Sequence, residues 1–494
     1  MWYVLVAGAA LLVGAAWAVS SPVGSSPDDD FHLTNAWCPP PLESSGCEVL
    51  SLPGGAVGVL VPRLVAEPQE CYAFEPFVSA ACQPDQRPDD LVVSDRVNEA
   101  YPGPYYRIMH LFVGPDVGRS VLVMRMVNVA VAVGLLAGLV LLGAPAQRRL
   151  LTYACLAGVV PLGLFVIASV NPTSWALAGI TTAWFATHLL VTTSTHRGVL
   201  IASVLFSLGA ALAIVSRGDA AAFVGLVTVA ALLPHGRNAL SRPARLTLPV
   251  IAGAIGLVVF ASTSQSGVVT SGLGDRFSDR SSTSVLASNV VEMPAYLAGL
   301  FGYPYGGDIG GLGWLDTEMP AITVVAASAV AIGLLFAGLA TMTPWKGTAY
   351  ALLAGVMVGL PLLVLQLSLN VVGENVQPRY VLPLLPALIG TAVLGRIPTH
   401  SLSMRGGQTV VAFVLLVAAH AAALQANIRR YVTGAETGGI NLNENIEWWW
   451  PGLPSPMITW IVGSLAFAVV AAALFFVEDR RPTEITQPGQ GHGG

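Results

Sequence analysis

The sequence predicts an all-α integral membrane protein of about twelve transmembrane helices, on three observations. Of 494 residues, 54% are hydrophobic and only 10% charged, where soluble domains carry about 25% charged residues. Apolar runs of roughly 20 residues recur along the chain, the length that crosses a bilayer as a helix. Lipid offers no partner for a bare backbone N–H or C=O, so such runs are helical, whereas β-barrel strands would alternate apolar and polar residues. The same composition excludes a single soluble globular enzyme and a disordered chain.

Twelve runs read as spans: 2–19, 120–143, 151–169, 174–193, 199–215, 220–234, 246–262, 321–341, 349–368, 381–395, 408–426 and 456–477. The first is expected to be a retained signal anchor (1–19). It has the small-x-small pattern of a cleavage site at Ala16 and Ala18 but no basic residue ahead of it. With the N-terminus inside, the short cytoplasmic loops collect Arg148, Arg149, Arg197, Arg237, Arg242, Arg245, Lys346, Arg396 and Arg405, as the positive-inside rule requires. Both termini are then cytoplasmic. Most acidic residues fall on the other side. Arg outnumbers Lys 22 to one, among abundant Ala, Gly and Val, a bias of high-GC bacterial genomes. The expected location is therefore a bacterial cytoplasmic membrane.

The expected organisation is an extracytoplasmic segment at 20–118, spans two to seven over 119–262, an outer loop at 263–320, spans eight to twelve over 321–477, and a disordered tail at 478–494. Long loops are uncommon unless functional. The first holds Cys38, Cys47, Cys71 and Cys82, leaving Cys155 in a span. Four cysteines on the oxidising side suit two disulfides in a small folded cap. Cys38–Cys47 with Cys71–Cys82 is the local pairing, and two other connectivities remain open. Zinc is disfavoured because no C-x₂-C pair is present. The apolar segment 284–302 carries Glu292 and Pro294 and reads as an interfacial or re-entrant helix. Trp448, Trp449 and Trp450 precede the last span, as an aromatic belt or a stacking surface for a sugar or lipid-linked ligand.

The chain has no P-loop, dinucleotide fingerprint, HExxH or nucleophile elbow. Its cytoplasmic loops are too short for a nucleotide-sugar domain, so a donor must arrive through the membrane or at its outer face. Candidate chemistry lies elsewhere. Asp28, Asp29, Asp30 and His32 follow the first span in SSPDDDFHL. Adjacent carboxylates repel, so one can have a raised pKa. The cluster suits a general base or a divalent cation, or else an acidic turn capping a helix near Phe31. Arg125 lies five residues into the second span, where an unpaired charge costs a few kcal/mol. It calls for a phosphate, an acid from the first loop, or snorkelling to the interface. Arg217 and Asp219 flank Gly218 at the outer end of the fifth span, and Arg379 and Tyr380 open the tenth. Arg side chains converging there suit a lipid phosphate or interfacial anchoring.

On these blocks the chain resembles the actinobacterial branch of the "domain of unknown function 2142" family, grouped with the GT-C glycosyltransferase superfamily. Pro27-Asp28-Asp29-Asp30-Phe31-His32-Leu33 resembles the family's P-D-E-x-x-H-[FV], with Asp for the usual Glu. CYAFEPFVSAAC at 71–82, YPGPYYRIMH at 101–110, VNPTSW at 170–175, GLGWLDTEMP at 311–320 and QPRYVLPLLP at 377–386 resemble further family blocks in order. The resemblance implies a GT-C-like fold with an essential acid in the first outer loop and a polyprenyl-phosphate sugar donor. It implies Asp28 or Asp29 as base, with His32 orienting it. Arg379, Tyr380, Arg125 and Arg217 would take the phosphate, and an envelope glycan would accept the sugar. A divalent cation is an open cofactor and no nucleic acid is expected. The alternative is a non-catalytic lipid-linked glycan flippase or envelope-assembly partner.

Overall fold

A computed structural model of the protein describes residues 2–85, 87, 89–97, 101–273, 280–306 and 310–477. The expected tail at 478–494 lies outside the described residues. Ten described helices are long and apolar enough to cross a membrane, or twelve if each of two bent pairs is one span. The protein is a multi-pass helical membrane protein.

Two expected spans are broken. The run at 151–169 forms helices Pro145–Gly158 and Val160–Ile167, bent by 89°. Pro161 stands in the first turn of the second piece. Its ring lacks an N–H and clashes with the preceding turn, so the helix restarts there. The run at 246–262 continues past an extended Thr263 into Ser264–Ser271, bent by 78°.

A third expected span, 381–395, contains only the short apolar helix Leu382–Val393, yet its ends sit far apart. Arg379 bonds Asp28 beside the end of the first helix, while the Leu394 carbonyl accepts from Lys346 and Thr341 at the opposite end. Residues 378–384 are largely 3₁₀ helix, whose rise of about 2.0 Å per residue stretches few residues over more depth. Every residue from Leu385 to Val393 is buried.

Ser282–Phe301, expected as an interfacial or re-entrant helix at 284–302, meets the length and apolarity of a span, and hydrogen bonds tie it to the end of Pro344–Ser368 and the segment that follows. Gln366 donates to Ser282, Asn289 bonds Asn370 and Val372, and the Tyr296 hydroxyl donates to the Gln377 carbonyl. All of these partners lie between 366 and 377, around the end of one span and the start of the next.

The end carrying Asp28 is the site end. Small residues allow tight packing beneath it. A Cβ on Gly179 would lie 2.5 Å from the Gly209 carbonyl oxygen, so the Thr173–Thr192 and His196–Ser216 helices touch backbone to backbone.

Between the first two spans the chain folds into short helices and a three-stranded antiparallel sheet. Its strands are β1 (Val49–Ser51), β2 (Val57–Pro62) and β3 (Leu91–Ser94), in the order β1-β2-β3. Val59 pairs with both Val49 and Ser94. Disulfides join Cys38 to Cys47 and Cys71 to Cys82, the local pairing.

Candidate functional site

The site begins with a buried turn. After Trp2–Val19 the chain runs through Ser20–Pro27 with no regular structure to pair its backbone, and burying an unpaired carbonyl is costly. Here each carbonyl from Ala18 to Pro27 accepts a hydrogen bond. Arg125 takes those of Ala18, Ser21 and Pro22 at 2.7, 2.8 and 2.6 Å. Trp450 takes Val19, Asn427 takes Ser20, and Tyr72 with Gln83 takes Val23. Trp314 takes Gly24, Tyr431 takes Ser25, the Asp29 N–H takes Ser26, and Asn171 takes Pro27. Remote helices thus fix the turn that presents Asp28.

This bears on two expectations. The Arg125 terminal nitrogens are engaged by the backbone and by Ser25 Oγ at 3.3 Å, and the residue is 1% exposed. Its guanidinium is thus turned into the protein and committed to the turn rather than to solvent. Trp450 is buried, its indole N–H on the Val19 carbonyl at the end of the first helix. Its ring touches that of Trp448, which also packs on Trp449.

Asp28 precedes the helix Asp29–Trp37 in a left-handed conformation, φ 61°, which a non-glycine residue holds only when its surroundings impose it. The three carboxylates then diverge. Asp28 Oδ2 accepts from Arg379 Nη2 at 2.6 Å and its side chain stays 47% exposed. Asp29 is fully buried: Oδ2 accepts the Ser26 N–H at 3.1 Å, while Oδ1 has no hydrogen-bond partner among the described residues. Asp30 faces Arg96 at 3.2 Å. Among the described residues no three His, Cys, Asp or Glu side chains form a metal-ligand group.

Charges sort with this geometry. Burial pushes the Asp28 carboxyl up, but the nearby guanidiniums of Arg379 and Arg217 outweigh it and hold it below the ordinary range. Burial pushes Asp29 up to about 7 against the pull of Arg125 and the Ser26 N–H. Burial also raises Asp30. His32 is pushed down to about 3 by burial, with Asp28 opposing and Arg379 and Arg217 adding, so it is neutral. Its Nδ1 lies 2.9 Å from the Tyr106 hydroxyl, and Nε2 has no partner among the described residues.

Arg217 and Arg379 converge beside Asp28 on the ring of Tyr380, their guanidinium carbons 5.2 and 5.4 Å from its centre. Tyr101 packs under Arg217 at 5.6 Å and against His32 at 5.6 Å. Burial pushes its phenol up to about 12, which keeps it a proton-bearing donor. Arg217 is held in a fork by Asp219 at 2.9 and 2.8 Å and also donates to Thr173 at 3.2 Å. Arg379 differs: it is 4% exposed, and its Nη1 has no partner among the described residues.

Asp28, His32, Arg217, Arg379 and Tyr380 therefore come together, and Arg125 does not face them. Sequence reasoning missed Tyr101, although its YPGPYY segment stood out. It also missed the buried pair of Arg430 with Asp316 at 2.8 Å. Arg430 belongs to the helix Gly406–Val432, past the expected span end at 426.

A bundle of apolar helices with a polar, arginine-rich cluster at one end defines a multi-pass membrane protein with a built polar site. The chain belongs to the DUF2142 family, described as predicted membrane proteins, whose pattern matches residues 11–388. It matches no curated protein.

Proposed function

We propose that the protein is a membrane glycosyltransferase of GT-C type that moves a sugar from a polyprenyl phosphate to a cell-envelope glycan. The carrying observation is a half-exposed carboxylate, Asp28, held by a buried guanidinium, Arg379, that keeps an unpartnered nitrogen. The site end faces outward and both termini are cytoplasmic in this reading. The disulfides and carboxylate cluster lie at the site end, while Arg148, Arg245 and Lys346 bond residues at the other end, which supports it.

In the proposed step the donor phosphate binds Arg379, with Arg217 as a second fixed positive charge. Phosphate competes with Asp28 for Arg379, and the released carboxylate regains ordinary basicity. An acceptor hydroxyl oxygen then attacks the anomeric carbon. The bond from that carbon to the phosphate oxygen breaks, polyprenyl phosphate leaves, and the hydroxyl proton passes to Asp28. Asp28 suits this role better than Asp29 because a base must reach its proton and Asp29 is sealed from any ligand. Neutral His32 adds no charge beside Asp28.

The reading is tested with protein reconstituted in liposomes and a panel of polyprenyl-phosphate pentoses and hexoses with envelope glycan acceptor. Release of polyprenyl phosphate coupled to acceptor elongation, lost in Arg379→Ala, is expected. Donor binding without release for every sugar would favour a non-catalytic carrier.

A further inference from the structure

The cluster at Asp28 leaves three sequence blocks unused: CYAFEPFVSAAC, GLGWLDTEMP and the start of QPRYVLPLLP. They meet in one place. Phe74, Trp314 and Leu315 face Gly373, Glu374, Asn375 and Gln377 across a cavity of about 380 Å³, within the roughly 300–1,000 Å³ typical of small-ligand sites. Leu315 and Gln377 also line a smaller chamber behind it, together with Pro27, Tyr305 and Arg379. In that chamber Arg379 Nη1, Tyr305 Oη and Gln377 Oε1 are buried without hydrogen-bond partners among the described residues. Buried polar atoms are normally satisfied, and this chamber, about 10 Å³, has room for a single water to satisfy them.

We infer that the outer cavity binds a neutral sugar ring of the acceptor glycan, with Phe74 and Trp314 as its apolar wall and Glu374, Asn375 and Gln377 as its hydroxyl-binding wall. The inference rests on the transferase reading for the word acceptor, but its chemistry stands on the cavity. Phe74 is 68% exposed, so its ring is open to a ligand. It meets Trp314 edge to face at 5.7 Å. A sugar ring offers C–H faces to such rings and hydroxyls at its rim. Glu374 is clamped by Arg280 at 2.6 and 2.8 Å, which fixes its carboxylate while leaving acceptor capacity for hydroxyls. Among the described residues no Lys or Arg lines the outer cavity, and its one carboxylate, Glu374, is a poor neighbour for a phosphate and a good acceptor for sugar hydroxyls.

The wall is built rather than loose. The Trp314 indole N–H donates to the Gly24 carbonyl at 2.8 Å, in the same turn that presents Asp28. Asp316 Oδ2 accepts the Phe74 N–H at 3.1 Å and pairs with buried Arg430. The Cys71–Cys82 disulfide closes the loop carrying Phe74. A preorganised aromatic wall loses little freedom on binding.

The test is saturation-transfer NMR and calorimetry on the full chain in nanodiscs, with neutral gluco-, galacto-, manno- and xylo-tetraoses as probes. At least one should bind. Phe74→Ala should weaken that binding at least tenfold, and Phe74→Tyr should restore it. Phe74 is exposed, so its replacement leaves the fold intact; Trp314→Ala, read alongside a melting curve, checks the second ring. Failure of all four tetraoses to bind, or binding unchanged in Phe74→Ala, overturns the inference. The two readings fail separately. Binding lost in Phe74→Ala while Asp28→Asn leaves envelope glycans unchanged would keep the cavity and refute transfer. Transfer that needs Asp28 but ignores Phe74 would do the reverse.

Discussion

Arg379 Nη2 lies 2.6 Å from Asp28 Oδ2, joining residues 351 positions apart. The pair ties the turn after the first span to the stretched 3₁₀ segment that opens the buried helix Leu385–Val393. Either residue alone reads as an interfacial charge. Together they make a carboxylate whose basicity depends on what else Arg379 binds.

Arg379→Ala should therefore weaken binding of polyprenyl phosphate. A hydrogen bond to a charged group contributes about 1.5–3 kcal/mol, roughly a ten- to hundredfold change in affinity. Arg379→Lys keeps the charge but loses the fork, so it should recover only part of that loss. Equal affinity in all three proteins, measured by calorimetry in nanodiscs, would remove Arg379 from the phosphate site.

Arg125→Ala should act on stability instead. It strips partners from the carbonyls of Ala18, Ser21 and Pro22, and each buried unsatisfied acceptor costs about 1–3 kcal/mol. A large drop in melting temperature is expected, with donor affinity unchanged in whatever fraction folds. An unchanged melting temperature with lost donor affinity would return Arg125 to the ligand.

Asp29 and His32 predict a hidden pH dependence. Asp29 rises from an ordinary 3.8 to about 7 through burial, so the folded state holds a proton the unfolded state has lost, and stability falls as pH rises across that window. His32 falls from 6.5 to about 3 through burial, so the unfolded state takes up the proton first and stability rises with pH over about 3–6.5. The two slopes oppose one another. Asp29→Asn should steepen the rise in melting temperature between pH 4 and 6.5, and His32→Gln should tilt the profile the other way. Parallel profiles for both variants would contradict these assignments.

Removing the second disulfide with Cys71→Ala/Cys82→Ala should cost about 2–4 kcal/mol, the usual range for such links. Proteolysis within 71–82 should become faster. Resistance equal to wild type would mean that Asp316 and Arg430 alone hold this loop.

Most spans were legible because apolar length is a direct signal of lipid exposure. The local disulfides and the grouping of Asp28, Arg217 and Arg379 at one end were also readable, the former from cysteine spacing and the latter from where spans begin and end. Three features were not. A bend at Val159–Val160 hides in a continuous apolar run, although Pro161 marks it. The 3₁₀ stretch at 378–384 lets a short helix reach across the bundle, which a hydropathy window cannot see. Arg125 and Trp450 serve carbonyls of a turn from far along the chain, and no local pattern reports a hydrogen bond across hundreds of residues.

The most direct test of the central claim is linkage analysis of envelope glycans from a deletion strain complemented at matched expression with wild type or Asp28→Asn. The account predicts that one glycosidic linkage disappears on deletion and returns with wild type. With Asp28→Asn it should form about 10²–10⁴-fold more slowly, as loss of a general base implies. Full restoration of that linkage by Asp28→Asn, or a glycan profile that never changes on deletion, would contradict it.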